Sequence, residues 1–468
     1  MYAKEPTAVA SLAAIMAFRM LGLFMLLPVF SLYAKQIPFA TPALIGIALG
    51  IYGLLQACFQ IPFGMLSDHI GRKPVITAGL ILLGVGSILA ALSHSIYGII
   101  IGRALQGAGA IGSTILAMIA DLTRDEERSK AMALVGMVIG FSFAIALIIG
   151  PVINTWFQLK GIFWTTVIFA TLGIILLYTV VPTPPQPLPH PEVKSESGYF
   201  KKVIRSSALL RLDLGIFSLH CILTAMFIGL PIILSQVINL SEHEQVSLYL
   251  IILLFAFIIA MPLIILSEKK RQLKWSFISA IVLLMVCQFL LIAFHHSVIE
   301  IGIILFLFFT AFTLLEATLP SLISKIAPIR QKGTALGIYS SAQFLGIFLG
   351  ASLGGWIFGH FQWIGVFIFC AIIALLWLVL AITMQNPTYL CTVIIKLDDY
   401  LKQNLASLKE NLHTIPGISE AAVLTHENLI YLKIDKKIIT EDELRKRIRE
   451  SNLNGTRNRL KSADVSFI

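Results

Sequence analysis

Charge is what this chain mostly does without. Of 468 residues, 13% are Asp, Glu, Lys or Arg and 57% are hydrophobic, where a soluble domain carries about 25% charged residues. That deficit excludes a water-facing surface along most of the sequence. Cysteine is scarce too: Cys58, Cys221, Cys287, Cys370 and Cys391 stand singly with no C-x-x-C spacing, and read as small apolar fillers rather than as a paired or metal-binding set. Catalytic signatures are missing. There is no G-x-S-x-G, H-E-x-x-H or Walker lysine loop, which argues against an enzyme and against an ATP-driven pump. No metal or organic cofactor is implied. The first apolar run exceeds the core of a secretory signal and no small-residue cleavage site follows it, so it is expected to be retained.

What is present is a series of apolar runs of about 20 residues, each long enough to cross a roughly 30 Å hydrocarbon core as a helix. Backbone polar groups have no water there, so helices are expected rather than open strands. Twelve spans are placed at about 7–34, 42–67, 75–93, 96–121, 131–157, 161–182, 208–236, 245–267, 274–294, 298–323, 333–358 and 362–384. The net charge of +10 is sorted by side. The cations between spans fall almost all on one face, among them Arg72, Lys73, Arg124, Arg128, Lys269, Lys270 and Arg271, with only Lys35 and Lys160 on the other. The positive-inside rule therefore puts both termini in the cytoplasm. Excess cation serves topology and anionic lipid heads, so nucleic-acid binding need not be invoked.

The proline-rich "VPTPPQPLPHPEVKSESGYFKKVIR", residues 181–205, cannot continue a helix and divides six spans from six. The expected domains are an N-terminal bundle at 1–182, a cytoplasmic linker at 183–207, a second bundle at 208–386 and a soluble domain at 388–468. The bundles repeat each other: "PFGMLSD" from Pro62 aligns with "PLIILSE" from Pro262, and "RSKAMAL" from Arg128 with "RQKGTAL" from Arg330, at nearly one offset. The tail reads strand, helix, strand, strand, helix and a possible last strand, "DVSFI". Thr440 with Glu443 forms a capping box for its second helix. That βαββαβ order is the ferredoxin-like arrangement.

One stretch, "GMLSDHIGRKPVI" at 64–76, gathers charge between two apolar runs. Arg72 and Lys73 suit a cytoplasmic turn. Asp68 does not, because a carboxylate at a helix C-terminus opposes the dipole by about 0.3–1 kcal/mol unless a partner compensates. It is expected to face a cation or another helix's N-terminus, with Gly64 one turn earlier permitting close approach. Further intramembrane polar groups are Arg19, Arg103 and Glu316, joined by Gln56, Gln60, His220 and Gln343. Charge at such depth is costly and marks function by default. Arg103 either faces protein or water, or snorkels to the surface; Arg19 and Glu316 either line a central cavity or lock the structure through ion pairs. Glu316, able to lose and regain a proton, is the candidate coupling acid.

These residues carry a resemblance. Gly64, Leu66, Asp68, Gly71, Arg72 and Lys73 match G-x-L-x-D-x-x-G-R-[KR] of the major facilitator superfamily, and "GRALQG" at Arg103, Gln106 and Gly107 matches its R-x-x-Q-G. The resemblance implies an all-α fold of twelve helices in two six-helix bundles. It implies that Asp68 faces the start of helix 11, that Arg72 pairs with Asp121, that this latch opens and closes the cytoplasmic side, and that Arg103 serves proton coupling. Gly136, Gly140, Gly150 and Pro151 of helix 5 resemble part of the antiporter signature of drug exporters, with Ala146 where that signature has glycine. Helix 11 carries a similar face at Gly346, Gly350, Gly354 and Gly355.

Together with "RMLGLFMLLPVF" and the ferredoxin-like tail, the plan is similar to the YajR-type branch near the drug:proton antiporters. The tail's "IPGISEAAV" resembles heavy-metal-associated domains, but "LDDYLKQ" stands where their C-x-x-C would be, so a docking or regulatory module is expected there, with a ligand or protein as its partner. The implied function is proton-coupled export of a small amphipathic or hydrophobic compound by alternating access, from a monomer in a bacterial inner membrane, with membrane lipids around it and the proton as coupling ion. Import of a metabolite, and a membrane-anchored sensor, are the alternatives.

Overall fold

A computed structural model describes residues 5–123, 125–183, 205–270, 272–327, 332–384, 390–396, 415–424, 429–435, 438–439 and 443–444. Most of the proline-rich linker, both tail helices and the last tail strand lie outside these residues. The chain divides into two compact units: Met1–Leu319 with Leu336–Met384, and Pro320–Ala335 with Gln385–Ile468.

The first unit is helical. Its elements begin with α1 (Glu5–Phe24), α2 (Leu27–Tyr33), α3 (Pro42–Ile70), α4 (Arg72–Leu92), α5 (Ile96–Ala108) and α6 (Gly112–Leu122). They continue with α7 (Asp125–Thr179), α8 (Ser207–Ile232), α9 (Glu242–Lys269), α10 (Leu273–Ala293), α11 (Val298–Ile326) and α12 (Lys332–Ile382), the last two extending into the second unit. Among the described residues, ten helical stretches are long and apolar enough to cross a membrane. Two of them are too long for one passage: 46 residues at Leu134–Thr179 and 49 at Thr334–Ile382, where about 20 suffice. Each contains one residue out of helical geometry, Gln158 (φ 57°) and Gln362 (φ 55°), so each holds two crossings and the ten stretches supply the expected twelve.

Internal duplication is visible at these breaks. "FQLKGIF" surrounds Gln158 and "FQWIGVF" surrounds Gln362. Gly161 lies against Phe157 and Ile153 as Gly365 lies against Phe361 and Ile357. Pro62 in α3 and Pro262 in α9 both sit inside helices. Five residues on from each, Ser67 donates to the Gly64 carbonyl at 2.6 Å and Ser267 to the Ile264 carbonyl at 2.8 Å.

Two crossings are broken near their middles. Pro28 has no N–H for the Phe24 carbonyl, and α1 gives way to α2 at Met25–Leu26. Between α5 and α6 the chain leaves helical form at Gly109–Ile111, where Gly109 and Ile111 press on Gly79 of α4.

The seam between the halves is closed at one side. Gly46, Gly50 and Gly53 of α3, on one helical face, meet the main chain of α12 at Ala351, Phe348 and Phe344. On the other side of α12, Gly346 and Gly350 meet the carbonyls of Phe217 and Cys221 in α8. Without side chains at these positions the backbones come within contact, the small-residue packing that holds helices together in lipid. Ser31 of α2 adds a hydrogen bond to the Phe227 carbonyl at 2.8 Å. Toward the other end of α12, and on α7, Gly337, Gly136 and Gly140 have nothing among the described residues within 4 Å of where a Cβ would stand.

In the second unit, β1 (Leu390–Lys396), β2 (Ile418–Leu424) and β3 (Leu429–Asp435) form an antiparallel sheet in the order β1-β3-β2. Ile430, Leu432 and Ile434 alternate inward along the central strand and are fully buried. The register shifts between Ile418 and Glu420.

Candidate functional site

The charged loop is built by one glycine. Gly71 has φ +94° and ψ 157°, a conformation that side chains disfavour, and it ends α3 and starts α4 within a single residue. The turn places an acid at the C-terminus of α3 and a base at the N-terminus of α4, each against its own dipole. They answer each other. Arg72 pairs through Nη1 with Asp68 and donates from Nε to Asp121 Oδ2 of α6 at 2.9 Å; Nη1 also reaches Ser67 Oγ at 2.6 Å.

Lys73 caps the sixth crossing instead, donating to the Val181 carbonyl at 2.6 Å and lying 5.6 Å from the Tyr178 ring centre. Gly64 lies under Ser113 of α6, whose Oγ would be 3.2 Å from a Cβ there. Residues 328–331, which lead into the eleventh crossing, are outside the described residues, and with them the expected meeting of Asp68 with that helix's first turn.

Asp68 and Asp121 are 40% and 31% exposed, so these ion pairs are worth only about 0.2–1 kcal/mol to the fold. Asp121→Asn should accordingly lower the unfolding midpoint of the purified protein slightly while changing transport strongly, if the cluster governs conformational exchange. Parallel thermal unfolding and vesicle uptake assays check this; a large loss of stability with proportional loss of uptake would make the cluster a structural brace instead.

Deep in the helices the polar residues separate into three groups. His220 of α8, Glu316 of α11 and Gln343 of α12 form the first: Gln343 Nε2 is 2.9 Å from His220 Nε2 and 3.5 Å from Glu316 Oε1, and His220 Nε2 is 3.8 Å from Glu316 Oε2. Glu316 is 29% exposed and His220 2%. Phe312 stands edge-on to His220 at 6.0 Å, and Phe143 and Phe309 continue the aromatic wall. This brings a carboxylate and an imidazole together across one amide, whose nitrogen is within hydrogen-bond distance of both.

The second group is Arg19 of α1 with Gln56 and Gln60 of α3. Gln56 Nε2 donates to Gln60 Oε1 at 2.9 Å. Arg19 is 1% exposed, none of its three nitrogens has a hydrogen-bond partner, and its guanidinium lies 5.8 Å from the Phe344 ring centre. Phe344 adjoins Gln343, so α12 carries both groups.

Arg103 makes the third group and, of the fates open to it, faces protein: at 1% exposure it fills the seam between α3, α4 and α5. It donates to the Ala48 and Leu49 carbonyls at 3.3 Å and to Gln106 Oε1 at 2.8 Å, and lies 4.9 Å from the Tyr52 ring centre. Gln106 passes the chain on to Ser87 Oγ at 2.7 Å. The carbonyls of a neighbouring helix offer this arginine more than the membrane surface does.

In α7 the glycines part ways. Gly150 abuts the Met25 carbonyl at the α1–α2 break, beside buried Pro151, while Gly136 and Gly140 face open space. Sequence reasoning missed Phe344, Thr114 and the α5–α6 break. "GAGAIG" at 107–112 was the available signal, since such a glycine run inside an apolar crossing invites unwinding. The free cysteines Cys221, Cys287 and Cys370 are buried and Cys58 is exposed; among the described residues no cluster of three His, Cys, Asp or Glu has metal-binding geometry.

Repeated helical halves that meet along a seam of small residues and charged groups held inside the apolar layer define a multi-pass membrane transporter. The family model described as Major Facilitator Superfamily matches residues 12–333 and 266–390, and the chain belongs to that superfamily, whose members are carriers rather than enzymes. It is 44% identical over 448 residues to the inner membrane transport protein YajR of Escherichia coli K12, covering 96% of this chain and 98% of that protein. Multidrug resistance protein MdtH of Proteus mirabilis is 24% identical over 347 residues, 72% of this chain and 84% of its own length. The crystal structure of the human organic anion transporter MFSD10 shares the fold with a TM-score of 0.59 at 21% identity, covering 81% of this chain and 99% of that one.

Proposed function

We propose that this chain is a proton-coupled secondary transporter that exports a small amphipathic compound across a bacterial inner membrane by alternating access, with both termini in the cytoplasm. The observation that carries the coupling is the Glu316, His220 and Gln343 cluster, a titratable set inside the second bundle, walled by Phe312, which meets Phe143 of the first bundle. Proton and substrate shift the populations of two conformers only through unequal affinity for them, and a carboxylate whose access to water changes as the two bundles part supplies such inequality.

The Arg72 cluster acts in this reading as the cytoplasmic latch, and the closed α3–α12 seam as the periplasmic gate. Export is supported by the antiporter-like spacing of Gly136, Gly140, Gly150 and Pro151 in α7 and by the name of the multidrug relative above. The tail is read as a ferredoxin-like regulatory domain, because the order β1-β3-β2 with antiparallel neighbours is the order such a chain adopts.

Everted vesicles test the proposal. In that orientation a lipophilic aromatic dye should accumulate when an inside-acid pH gradient is imposed and leak out when the gradient is collapsed; accumulation indifferent to the gradient contradicts proton coupling.

A further inference from the structure

The surroundings of Arg19 hold a second, independent oddity. α6 begins inside the apolar layer, at Gly112, after the break at Gly109–Ile111. Ile115 is the first residue of this helix to bond back, to the Ile111 carbonyl, and no side chain caps its start. The amides of Gly112, Ser113 and Thr114 are therefore left over, as the first amides of any helix are, and the helix dipole puts partial positive charge there. Thr114 Oγ1 is buried with no partner either.

The guanidinium of Arg19 sits at that helix start. A Cβ built on Gly112 would lie 3.0 Å from Arg19 Nη1, 3.8 Å from Gln60 Oε1 and 4.0 Å from Gln56 Nε2. A full cation, with five N–H donors unused, thus faces the positive end of a helix. Among the described residues no carboxylate comes within salt-bridge distance of it. Two like-signed groups buried together are mutually unfavourable, and buried donors left without partners are costly, more so when charged. Both defects are cured by one thing, an anion between them. Helix starts bind anions through their free amides, and a guanidinium fork takes a carboxylate in two parallel hydrogen bonds.

We propose that Arg19, the amide start of α6 and the amides of Gln56 and Gln60 form a binding site for the anionic head of the transported compound. Phe344 of α12, 5.8 Å from the Arg19 guanidinium, flanks this site and receives the apolar body, with Tyr52 of α3 behind it at 6.4 Å between ring centres. The substrate class is therefore an amphipathic organic anion with an aromatic or alicyclic body. A side chain at Gly112 would press on the Arg19 guanidinium, so glycine keeps that fork and the helix-start amides free to meet one ligand. The inference rests on the transport reading above but concerns what is bound rather than what drives it.

The test uses the full-length protein in lipid nanodiscs and three probes sharing one ring system: naphthalene-2-carboxylate, naphthalene-2-carboxamide and 2-naphthylmethylammonium. Equilibrium binding should favour the carboxylate over the amide at least about tenfold, the scale of one charge-assisted hydrogen bond, and should disfavour the ammonium. Arg19→Gln should erase that preference. Gly112→Ala keeps the arginine and fills the space beside it; it should weaken the carboxylate selectively, and it stands in if Arg19→Gln fails to fold. Equal binding of carboxylate and amide, no binding of the carboxylate, preference for the ammonium, or an unchanged preference in Arg19→Gln overturns the site. Flux of the same probes in proteoliposomes separates the two readings. A carboxylate that binds but is not moved leaves the site standing and contradicts transport, whereas an ammonium moved by the pH gradient does the reverse.

Discussion

Glu316→Gln should leave a protein that folds and exchanges substrate across the membrane but no longer accumulates it against a gradient. The amide is nearly isosteric with the carboxylate and can keep a hydrogen bond with Gln343, so the helices should pack as before. What disappears is the proton site. Substrate counterflow in proteoliposomes, which needs no gradient, should persist near the parental rate, while pH-driven accumulation falls to that of empty vesicles. Loss of both activities would make Glu316 a substrate ligand or a structural residue, and retention of both would remove it from coupling. His220→Gln offers a graded companion, since it takes away the imidazole at 3.8 Å and leaves the carboxylate.

The α3–α12 seam carries the other large effect. A Cβ at Gly46 would overlap the Ala351 carbonyl, and one at Gly50 would lie 2.7 Å from the Phe348 carbonyl. These are main-chain atoms and cannot swing aside. Gly46→Val therefore opposes this closed arrangement while leaving any state with separated helices untouched. Overpacking costs about 1–3 kcal/mol, and when that cost falls on one conformer only it moves the equilibrium roughly 5- to 150-fold. Spin labels at Thr41 and His360, both exposed beside this seam, should show a short distance in the parent and a distinctly longer one in Gly46→Val, with transport lost. An unchanged distance would mean that the seam yields by local bending.

Much of this architecture could be read beforehand because lipid imposes it. A crossing needs an apolar run of fixed length, and its ends are marked by cations and by residues such as Gly71 whose backbone few others tolerate. The paired Pro62 and Pro262 segments were legible as a repeat for the same reason. The two hairpins at Gln158 and Gln362 were legible only as span boundaries; that one residue each would make the turn was not, since nothing in "FQLKG" prescribes φ 57°.

The interior sites were legible as a list and not as groups. Arg19, Arg103 and Glu316 look alike in an apolar sequence, yet Arg103 is consumed by the carbonyls of Ala48 and Leu49, Glu316 meets Gln343 and His220, and Arg19 alone is left unpaired. Which of these fates befalls a buried charge depends on helices far apart in sequence. The start of α6 beside Arg19 shows this most plainly, because a helix that begins in mid-layer leaves no apolar-to-polar boundary to read.

All of this depends on two halves that exchange closure between the sides of the membrane. Distances between spin labels in one purified, reconstituted protein test it directly: the pair Thr41 and His360 beside the closed seam, and the pair His69 and Lys270 at the opposite helix ends, on a background with the native cysteines replaced. Lowering the pH with naphthalene-2-carboxylate present should lengthen the first distance and shorten the second together, in the same fraction of molecules. Both distances moving in one direction, or neither moving under any combination of proton and ligand, would contradict the account.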